Sequence, residues 1–207
     1  MNALIKTSLL GLAFISTVSM AQTTAFSGAA VGASVNLSGS SFKANDTNNE
    51  YSTIGDQNLG LALTASYGLD VSSEILVLLG VDLDFAEKKF LKTQDSKNYA
   101  NTKNSMSLFA APGMLINENT LVYGKLSFET TKFNIGTKTT SNNVTTTRSK
   151  EESINGVGFG FGVRNKINNN LFLQTEIKRV NYNSLDYFNT KIKPSTTSGN
   201  VGLLYKF

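Results

Sequence analysis

Two carboxylates, Asp82 and Asp84, stand two positions apart in the run VDLDF. Residues two apart in an extended strand point to the same face, so both carboxylates would face one space. A close carboxylate pair can act as a general acid and base. The chain contains no histidine and no cysteine, which removes the most common general base and the thiol nucleophile. The simpler interpretation of the pair is that it binds lysines of neighbouring strands, such as Lys125 or Lys178.

Further ionisable residues share the less apolar face of alternating segments, and with the two aspartates they form a set of four negative and three positive charges: Asp82, Asp84, Lys125, Glu129, Arg164, Glu176 and Lys178. If these faces enclose a narrow space, the charges must pair, because an isolated buried charge is very costly. We therefore expect a salt-bridged polar filling. An ion path or gate is the alternative interpretation of the same residues.

A two-residue period positions these side chains. In Leu59–Gly68, for example, leucines at 59, 61 and 63 alternate with Gly60, Ala62 and Thr64. A helical period of 3.6 fits such segments less well than a period of 2. Eight segments follow this pattern, each about long enough for a strand that crosses a membrane: Gly28–Leu37, Leu59–Gly68, Val77–Phe85, Met106–Met114, Val122–Glu129, Gly156–Arg164, Leu171–Lys178 and Asn200–Phe207.

The connections between the segments alternate between long and short. The short ones are rich in turn residues: Leu69–Glu74, Ile116–Asn119 and Lys166–Asn170. The long ones are polar: about Ser38–Gln57, Glu87–Asn104, Thr130–Ser153 and Asn181–Ser195. This alternation of short and long connections is typical of outer-membrane barrels, whereas the architecture of a soluble β-sandwich does not require it. The sequence thus predicts an all-β fold, an eight-stranded antiparallel up-and-down transmembrane β-barrel. We interpret Pro112, inside a predicted strand, as a bulge near the short-turn rim.

The first residues have the features of a secretory signal peptide. Lys6 provides a positive charge, Ser8–Val18 is apolar, and Ser19–Ala21 is a small-x-small cleavage site. The apolar run is too short to span a membrane comfortably as a helix. We expect residues 1–21 to be the signal peptide and residues 22–207 to be the barrel domain, with both mature termini in the periplasm.

Three segments of the chain resemble the small eight-stranded outer-membrane barrels, namely the OmpA barrel domain, OmpX and the opacity-protein-like surface antigens. They are the run LVYGKL after a short turn, the Gly-x-Gly strand Gly156–Val163, and the terminal VGLLYKF. In that family a terminal aromatic residue preceded by alternating apolar residues is the signal for the outer-membrane assembly machinery. The resemblance implies this role for Val201, Leu203, Tyr205 and Phe207.

Enzymes with barrels of this size modify lipid A, and their chemistry uses a histidine with a serine. Since the chain has no histidine, we expect no enzymatic activity, no catalytic residue, no cofactor and no metal site. The expected function is that of a surface protein contributing to envelope integrity or adhesion through its extracellular loops. A narrow porin for small solutes is the alternative.

The expected partners are outer-membrane lipids and lipopolysaccharide, the assembly machinery, and a host or neighbouring cell surface. Nucleic acid is not expected, because the chain contains no long block of like charge. Apolar residues within the long connections are interpreted as strand extensions above the bilayer, with surface contact as the alternative: Phe90, Leu91, Tyr99, Phe133, Ile135, Tyr187 and Phe188. Lysines in the long connections are interpreted as keeping these connections soluble, with contact to lipopolysaccharide phosphates as the alternative: Lys88, Lys89, Lys92, Lys97, Lys103, Lys132 and Lys138.

Overall fold

The computed structural model describes residues 24–46, 49–92, 98–141, 144–187 and 190–207. The expected signal peptide, residues 1–21, lies outside these ranges. Ten strands form in the described residues: β1 (Gly28–Asp46), β2 (Asn49–Asp70), β3 (Ile75–Asp84), β4 (Lys88–Lys92), β5 (Asn98–Asn117), β6 (Thr120–Ser141), β7 (Val144–Lys166), β8 (Leu171–Tyr182), β9 (Leu185–Tyr187) and β10 (Thr190–Lys206). Within these ranges, no helix has the length and apolar character needed to span a membrane.

The strands form one closed antiparallel barrel. Consecutive strands pair with each other, except that β3 pairs with β5 and β8 with β10, and β1 pairs with β10 from Ala30–Lys206 to Asn45–Lys191. β4 continues the line of β3, and β9 continues the line of β8. The ten strands therefore occupy eight strand positions in the barrel wall. The predicted eight-stranded barrel is confirmed. Its short turns gather at one end, and its long hairpins gather at the other.

The two-residue period separates the outside of the barrel from its inside, as predicted. Apolar side chains face outward, with Leu59 73% and Phe161 71% exposed. The residues that alternate with these apolar residues face inward. On β1, for example, Asn36 and Ser38 are almost fully buried. An apolar exterior of this extent requires a lipid environment. Exposed aromatic residues border the apolar surface at both ends. Tyr67, Tyr205 and Phe207 lie at the short-turn end, and Phe85 and Phe128 lie at the opposite end.

The predicted long connections are mostly strand rather than loop. β6 and β7 pair without a register shift from Thr120–Asn165 to Ser141–Val144, which covers the expected Thr130–Ser153 connection apart from residues 142 and 143, outside the described part of the structure. The predicted continuation of the strands is confirmed for β6 and β7. These segments are rich in threonine, which favours extended structure, and cross-strand pairs stabilise a hairpin once it is started.

Pro112 does not form the expected bulge. It pairs with Val77 of β3, and the β5–β6 register is the same at Ala110–Leu126 and at Gly113–Tyr123. The β5–β6 pairs are interrupted at Ala111 and Pro112, because proline has no N–H to donate, but no extra residue is inserted. The register shifts of β5 lie elsewhere, between Lys103 and Met106 and between Leu115 and Asn117.

Candidate functional site

The barrel interior is filled by three layers of side chains, and the layer at the short-turn end is apolar. Phe26, which precedes β1, packs against Phe172 of β8 with ring centroids 5.2 Å apart. The buried members of this layer come from both sides of the barrel: Phe26, Leu76, Leu78, Phe109, Ala111, Leu121, Tyr123, Phe172 and Leu204. The sequence pattern did not predict this layer, because inward positions are not required to be polar where side chains fill the space.

The residues before β1 fold against the same end of the barrel. Thr24 donates to Asp70 from its backbone N–H (3.2 Å) and from its hydroxyl (2.8 Å), and the Ser27 hydroxyl also donates to Asp70. Lys206 Nζ donates to the Ala25 carbonyl at 3.0 Å. These contacts hold Phe26 inside the barrel, so the chain itself covers the short-turn opening.

The middle layer is charged, and its first cluster is centred on Lys125. Lys125 Nζ lies 2.7 Å from Asp82 Oδ2 and 3.0 Å from both carboxylate oxygens of Glu176. The Tyr123 hydroxyl donates to Glu176 at 3.0 Å, and the Thr64 hydroxyl donates to Asp82 at 2.8 Å. Each of the three charged groups is buried and satisfied by charge-assisted hydrogen bonds.

The second cluster is centred on Glu129, whose side chain is 1% exposed. Lys178 Nζ lies 3.0 Å from Glu129 Oε2, and the Tyr182 hydroxyl donates to Oε1 at 2.6 Å. Lys88 Nζ lies 2.9 Å from Asp84 Oδ2 and 3.7 Å from Glu129 Oε1, so it joins the two carboxylates. Asp84 of β3 and Glu129 of β6 thus share Lys88 of β4, and Glu129 also binds Lys178 of β8.

All seven ionisable residues expected to face inward are buried inside the barrel. Arg164 bonds to neutral groups, with its Nε 2.7 Å from Gln174 Oε1 and its Nη2 3.2 Å from Ser66 Oγ. Lys88 was expected to be an exposed loop lysine, and that expectation is wrong, because its side chain is 2% exposed. With Lys88 the interior charges are four acidic and four basic groups in the described residues. Asp84 and Lys88 are four positions apart, so a two-residue period places both side chains on the inward face. This spacing could have revealed that Lys88 belongs to the interior.

Asp82 and Asp84 do not form a carboxylate dyad. Asp82 binds Lys125, whereas Asp84 binds Lys88 and accepts a hydrogen bond from Asn36 Nδ2 at 2.7 Å. An acid–base pair needs a shared proton or substrate between the two groups. Here each carboxylate has its own cation, so the arrangement suits charge neutralisation.

The third layer, at the long-hairpin end, is apolar again. Phe90 of β4 and Phe133 of β6 lie with ring centroids 5.3 Å apart and are 0% and 2% exposed. They pack with four further buried residues: Ile154, Val180, Tyr182 and Leu185. Phe90 and Phe133 therefore belong to the interior. The side chains of the other five apolar connection residues lie outside the described part of the structure: Leu91, Tyr99, Ile135, Tyr187 and Phe188.

Two cavities show how little space the described side chains leave in the charged layer and at the short-turn end. A cavity of about 20 Å³ lies in the charged layer beside Asn36 and Asn200, and one of about 10 Å³ lies beside Phe26 and Arg164. A single water molecule needs roughly 10–15 Å³ of such space. Neither cavity can serve as a wide aqueous passage.

The four residues of the expected assembly signal share one outward face of β10 and its end: Val201, Leu203, Tyr205 and Phe207. The rings of Tyr205 and Phe207 meet edge to face at 5.4 Å. The Phe207 N–H donates to the Ala29 carbonyl at 3.1 Å, so the last residue is held against β1.

The described lysines on the outside of the hairpins include Lys89, Lys103 and Lys132. Lys103 and Lys132 are opposite each other on β5 and β6. Lys132 also pairs with Glu151 at 3.0 Å, with side chains 61% and 55% exposed. The side chains of Lys92, Lys97 and Lys138 lie outside the described part of the structure.

Comparison with known proteins supports the architecture. Residues 7–207 match the family model described as the outer membrane protein beta-barrel domain. Among solved structures, Neisserial surface protein A is similar with a TM-score of 0.54 and 13% identity, over 87% of this chain and 98% of that chain. A major outer membrane protein from Thermus thermophilus is similar with a TM-score of 0.53 and 12% identity, over 84% and 99% respectively. At such identities these likenesses show the fold alone. No curated protein sequence matched the chain.

Proposed function

Since this chain belongs to the outer membrane protein beta-barrel domain family, we propose that it is a closed, non-enzymatic barrel that contributes to envelope integrity or adhesion through its long hairpins. Membership in the family implies the outer membrane as its location. The proposal rests on one observation above all, the three layers of side chains that fill the barrel interior.

The filled interior argues against conduction as the function. An ion that crossed the barrel would have to displace Phe90 and Phe133, separate Lys125 from its two carboxylates, and then pass Phe26 and Phe172. The buried ion pairs are costly to break, because removing one partner leaves an uncompensated charge. The interior charges therefore act as structural filling.

Conductance in planar bilayers tests this proposal directly. The purified barrel should give current near background. A double variant with Phe90→Ala and Phe133→Ala, which opens only the third layer, should stay near background because two layers remain. Steady large openings of the wild-type barrel would refute the closed interior and favour the narrow porin.

The surface role is tested by shortening the longest hairpin. Deletion of residues 142–147 at its tip, of which 142 and 143 lie outside the described part of the structure, should leave folding intact and abolish adhesion of expressing cells. Folding is expected to survive, because the β6–β7 pairs from Thr120–Asn165 upward remain. Adhesion that persists after all four long hairpin tips are deleted would exclude this role.

We also propose the remaining features expected from the sequence. Residues 1–21 act as the signal peptide, both mature termini lie in the periplasm with the short turns, and the terminal residues of β10 contact the assembly machinery. Outward lysines such as Lys103 and Lys132 contact phosphates of lipopolysaccharide. The exposure of Val201, Leu203, Tyr205 and Phe207 on one face supports their recognition during assembly.

A further inference from the structure

The four described residues that precede β1 bind strands on both sides of the line where the barrel closes. We call residues 24–27 the strap, and the pairing of β1 with β10 the seam. On one side of the seam, Asp70 at the end of β2 accepts three hydrogen bonds from Thr24 and Ser27. On the other side, Lys206 of β10 donates to a strap carbonyl at 3.0 Å. The strap therefore connects β2 to β10 across the seam.

Phe26 anchors the strap in the apolar layer at the short-turn end. Its side chain is 5% exposed, and its ring centroid lies 5.2 Å from that of Phe172 on β8. The same buried cluster contains Leu204 of β10, and Leu76 and Leu78 of β3. The ring thus packs with strands from both sides of the seam. Its contacts add to those of the strap main chain and hydroxyls.

Two glycines allow the strap to turn into the barrel. Gly28 has a φ of 91°, a left-handed conformation that favours glycine, and it lies between the strap and the rest of β1. Gly68 of β2 lies against the strap main chain, because a Cβ at this position would overlap the Phe26 carbonyl oxygen. The next nearest atoms to that Cβ, the Phe26 carbonyl carbon and Ser27 Cα, also belong to the strap. A methyl group at position 68 would therefore displace the strap in particular.

The docking site for the strap is complete only after the barrel has closed. Its parts belong to β2, β3, β8 and β10, which are distant in the chain and are brought together when β10 pairs with β1. Before that pairing, a docked strap would have to hold β10 by one hydrogen bond and the packing of one ring. These few contacts would oppose the entropy of closing a loop as long as the barrel domain. The strap is therefore expected to dock after the seam has formed.

We propose that the strap is a reversible lock for the seam, which docks after β1 pairs with β10 and must leave β10 before the two strands separate. Ordering of four residues costs backbone entropy, which opposes the gain from their contacts. The strap therefore leaves transiently while the rest of the barrel stays folded, as a local opening. This inference concerns the short-turn end of the barrel and does not depend on the surface role of the long hairpins.

The first test separates the unfolding rate of the barrel from its refolding rate. The full barrel is unfolded in urea and refolded by dilution into detergent micelles, and both rates are followed by the mobility shift on unheated gels. Contacts that form after the transition state for folding slow unfolding but leave the refolding rate unchanged. Phe26→Ala and Gly68→Ala should therefore unfold about tenfold faster or more and refold as the wild type does. The control is Gly199→Ala, whose added Cβ would meet no atom within 4 Å, and it should change neither rate.

The second test detects release of the strap from a barrel that is still folded. The chain has no cysteine, so Leu204→Cys places a single thiol in the cluster that contains Phe26. The rate at which this thiol reacts with a maleimide in micelles reports how often the strap leaves. Addition of Gly68→Ala to Leu204→Cys should speed the reaction about tenfold or more, to a rate well above that of global unfolding. Addition of Gly199→Ala should leave the rate unchanged.

Several results would overturn the lock. Unchanged unfolding rates in Phe26→Ala and Gly68→Ala would mean that the strap does not hold the seam. Slower refolding of both variants, or their failure to reach the folded gel band, would mean that the strap packs before the seam closes, because a lock that docks last is not needed to form the barrel. A maleimide rate that Gly68→Ala leaves unchanged would mean that the strap does not open separately from the barrel. All of these results would leave the surface role of the hairpins intact.

Discussion

Replacement of Lys125 by methionine removes the cation shared by two carboxylates. Lys125 Nζ lies 2.7 Å from Asp82 Oδ2 and 3.0 Å from Glu176 Oε2, and the lysine side chain is 2% exposed. Methionine has a similar length, so the packing of the stem is largely retained. The two carboxylates, however, would remain buried without the lysine that neutralises them.

The magnitude follows from the cost of an uncompensated buried charge. Removal of one partner from a buried ion pair typically costs about 3–5 kcal/mol. We expect Lys125→Met to lower the free energy of unfolding by this amount, which is about two to nearly four powers of ten in the folded-to-unfolded ratio. The matched control is Lys132→Met, which breaks an exposed pair with Glu151. An exposed pair is worth at most about 1 kcal/mol.

The assay is urea unfolding of the refolded barrel in detergent micelles. The chain has no tryptophan, so unfolding is followed by far-ultraviolet circular dichroism and by the mobility shift of the folded barrel on unheated gels. A neutral triple variant, with Lys125→Met, Asp82→Asn and Glu176→Gln, should recover most of the lost stability. Replacement of a whole buried ion cluster by neutral groups is often tolerated.

Equal losses for Lys125→Met and Lys132→Met would refute this reasoning. They would mean that water reaches the charged layer and solvates the carboxylates. A triple variant no more stable than Lys125→Met would refute it differently, because the loss would then come from packing rather than from unpaired charge.

Three further predictions concern other parts of the barrel. A Cβ on Gly162 would overlap the ring and hydroxyl of Tyr123, so Gly162→Ala should lower the free energy of unfolding in urea by about 1–3 kcal/mol. In the control Gly124→Ala, the nearest atom to the added Cβ is 4.0 Å away, and the free energy of unfolding should change little. Arg164→Met leaves Gln174 Oε1 and Ser66 Oγ without their donor and should lower the free energy of unfolding by about 1–3 kcal/mol in the same assay. An unchanged midpoint of urea unfolding would contradict these interior contacts. Phe207→Ala should reduce the amount of folded barrel in cells but not its stability after refolding, because the side chain is 73% exposed. Equal losses in both would point to packing instead of recognition.

The sequence was sufficient to predict the wall of the barrel. The two-residue period reveals which side chains face lipid, because apolar side chains must cover one face of each strand in a bilayer. The alternation of short and long connections indicates strand count and direction. The prediction for Pro112 was wrong, because the loss of a single N–H is local and the strand absorbs it without an inserted residue.

The sequence was less informative about the interior. Inward positions at Leu76, Leu121 and Phe172 are apolar, and only the packed barrel shows that they meet Phe26 from before β1. Lys88 looked like a surface lysine, because it lies in a polar connection after the end of β3. In the structure, the two-residue alternation continues across the gap between β3 and β4, so Ala86, Lys88 and Phe90 are all buried.

By itself, the sequence determined that Asp82, Asp84, Lys125, Glu129, Arg164, Glu176 and Lys178 lie on inward faces, since strand parity is a local property of the chain. Only the tertiary structure decided that Lys125 binds Asp82 and Glu176, 43 and 51 residues away, and that Lys178 binds Glu129. Closure of the barrel brings β3, β6 and β8 to face one another across its interior. The partners therefore depend on the register of every strand between them, which no local pattern contains.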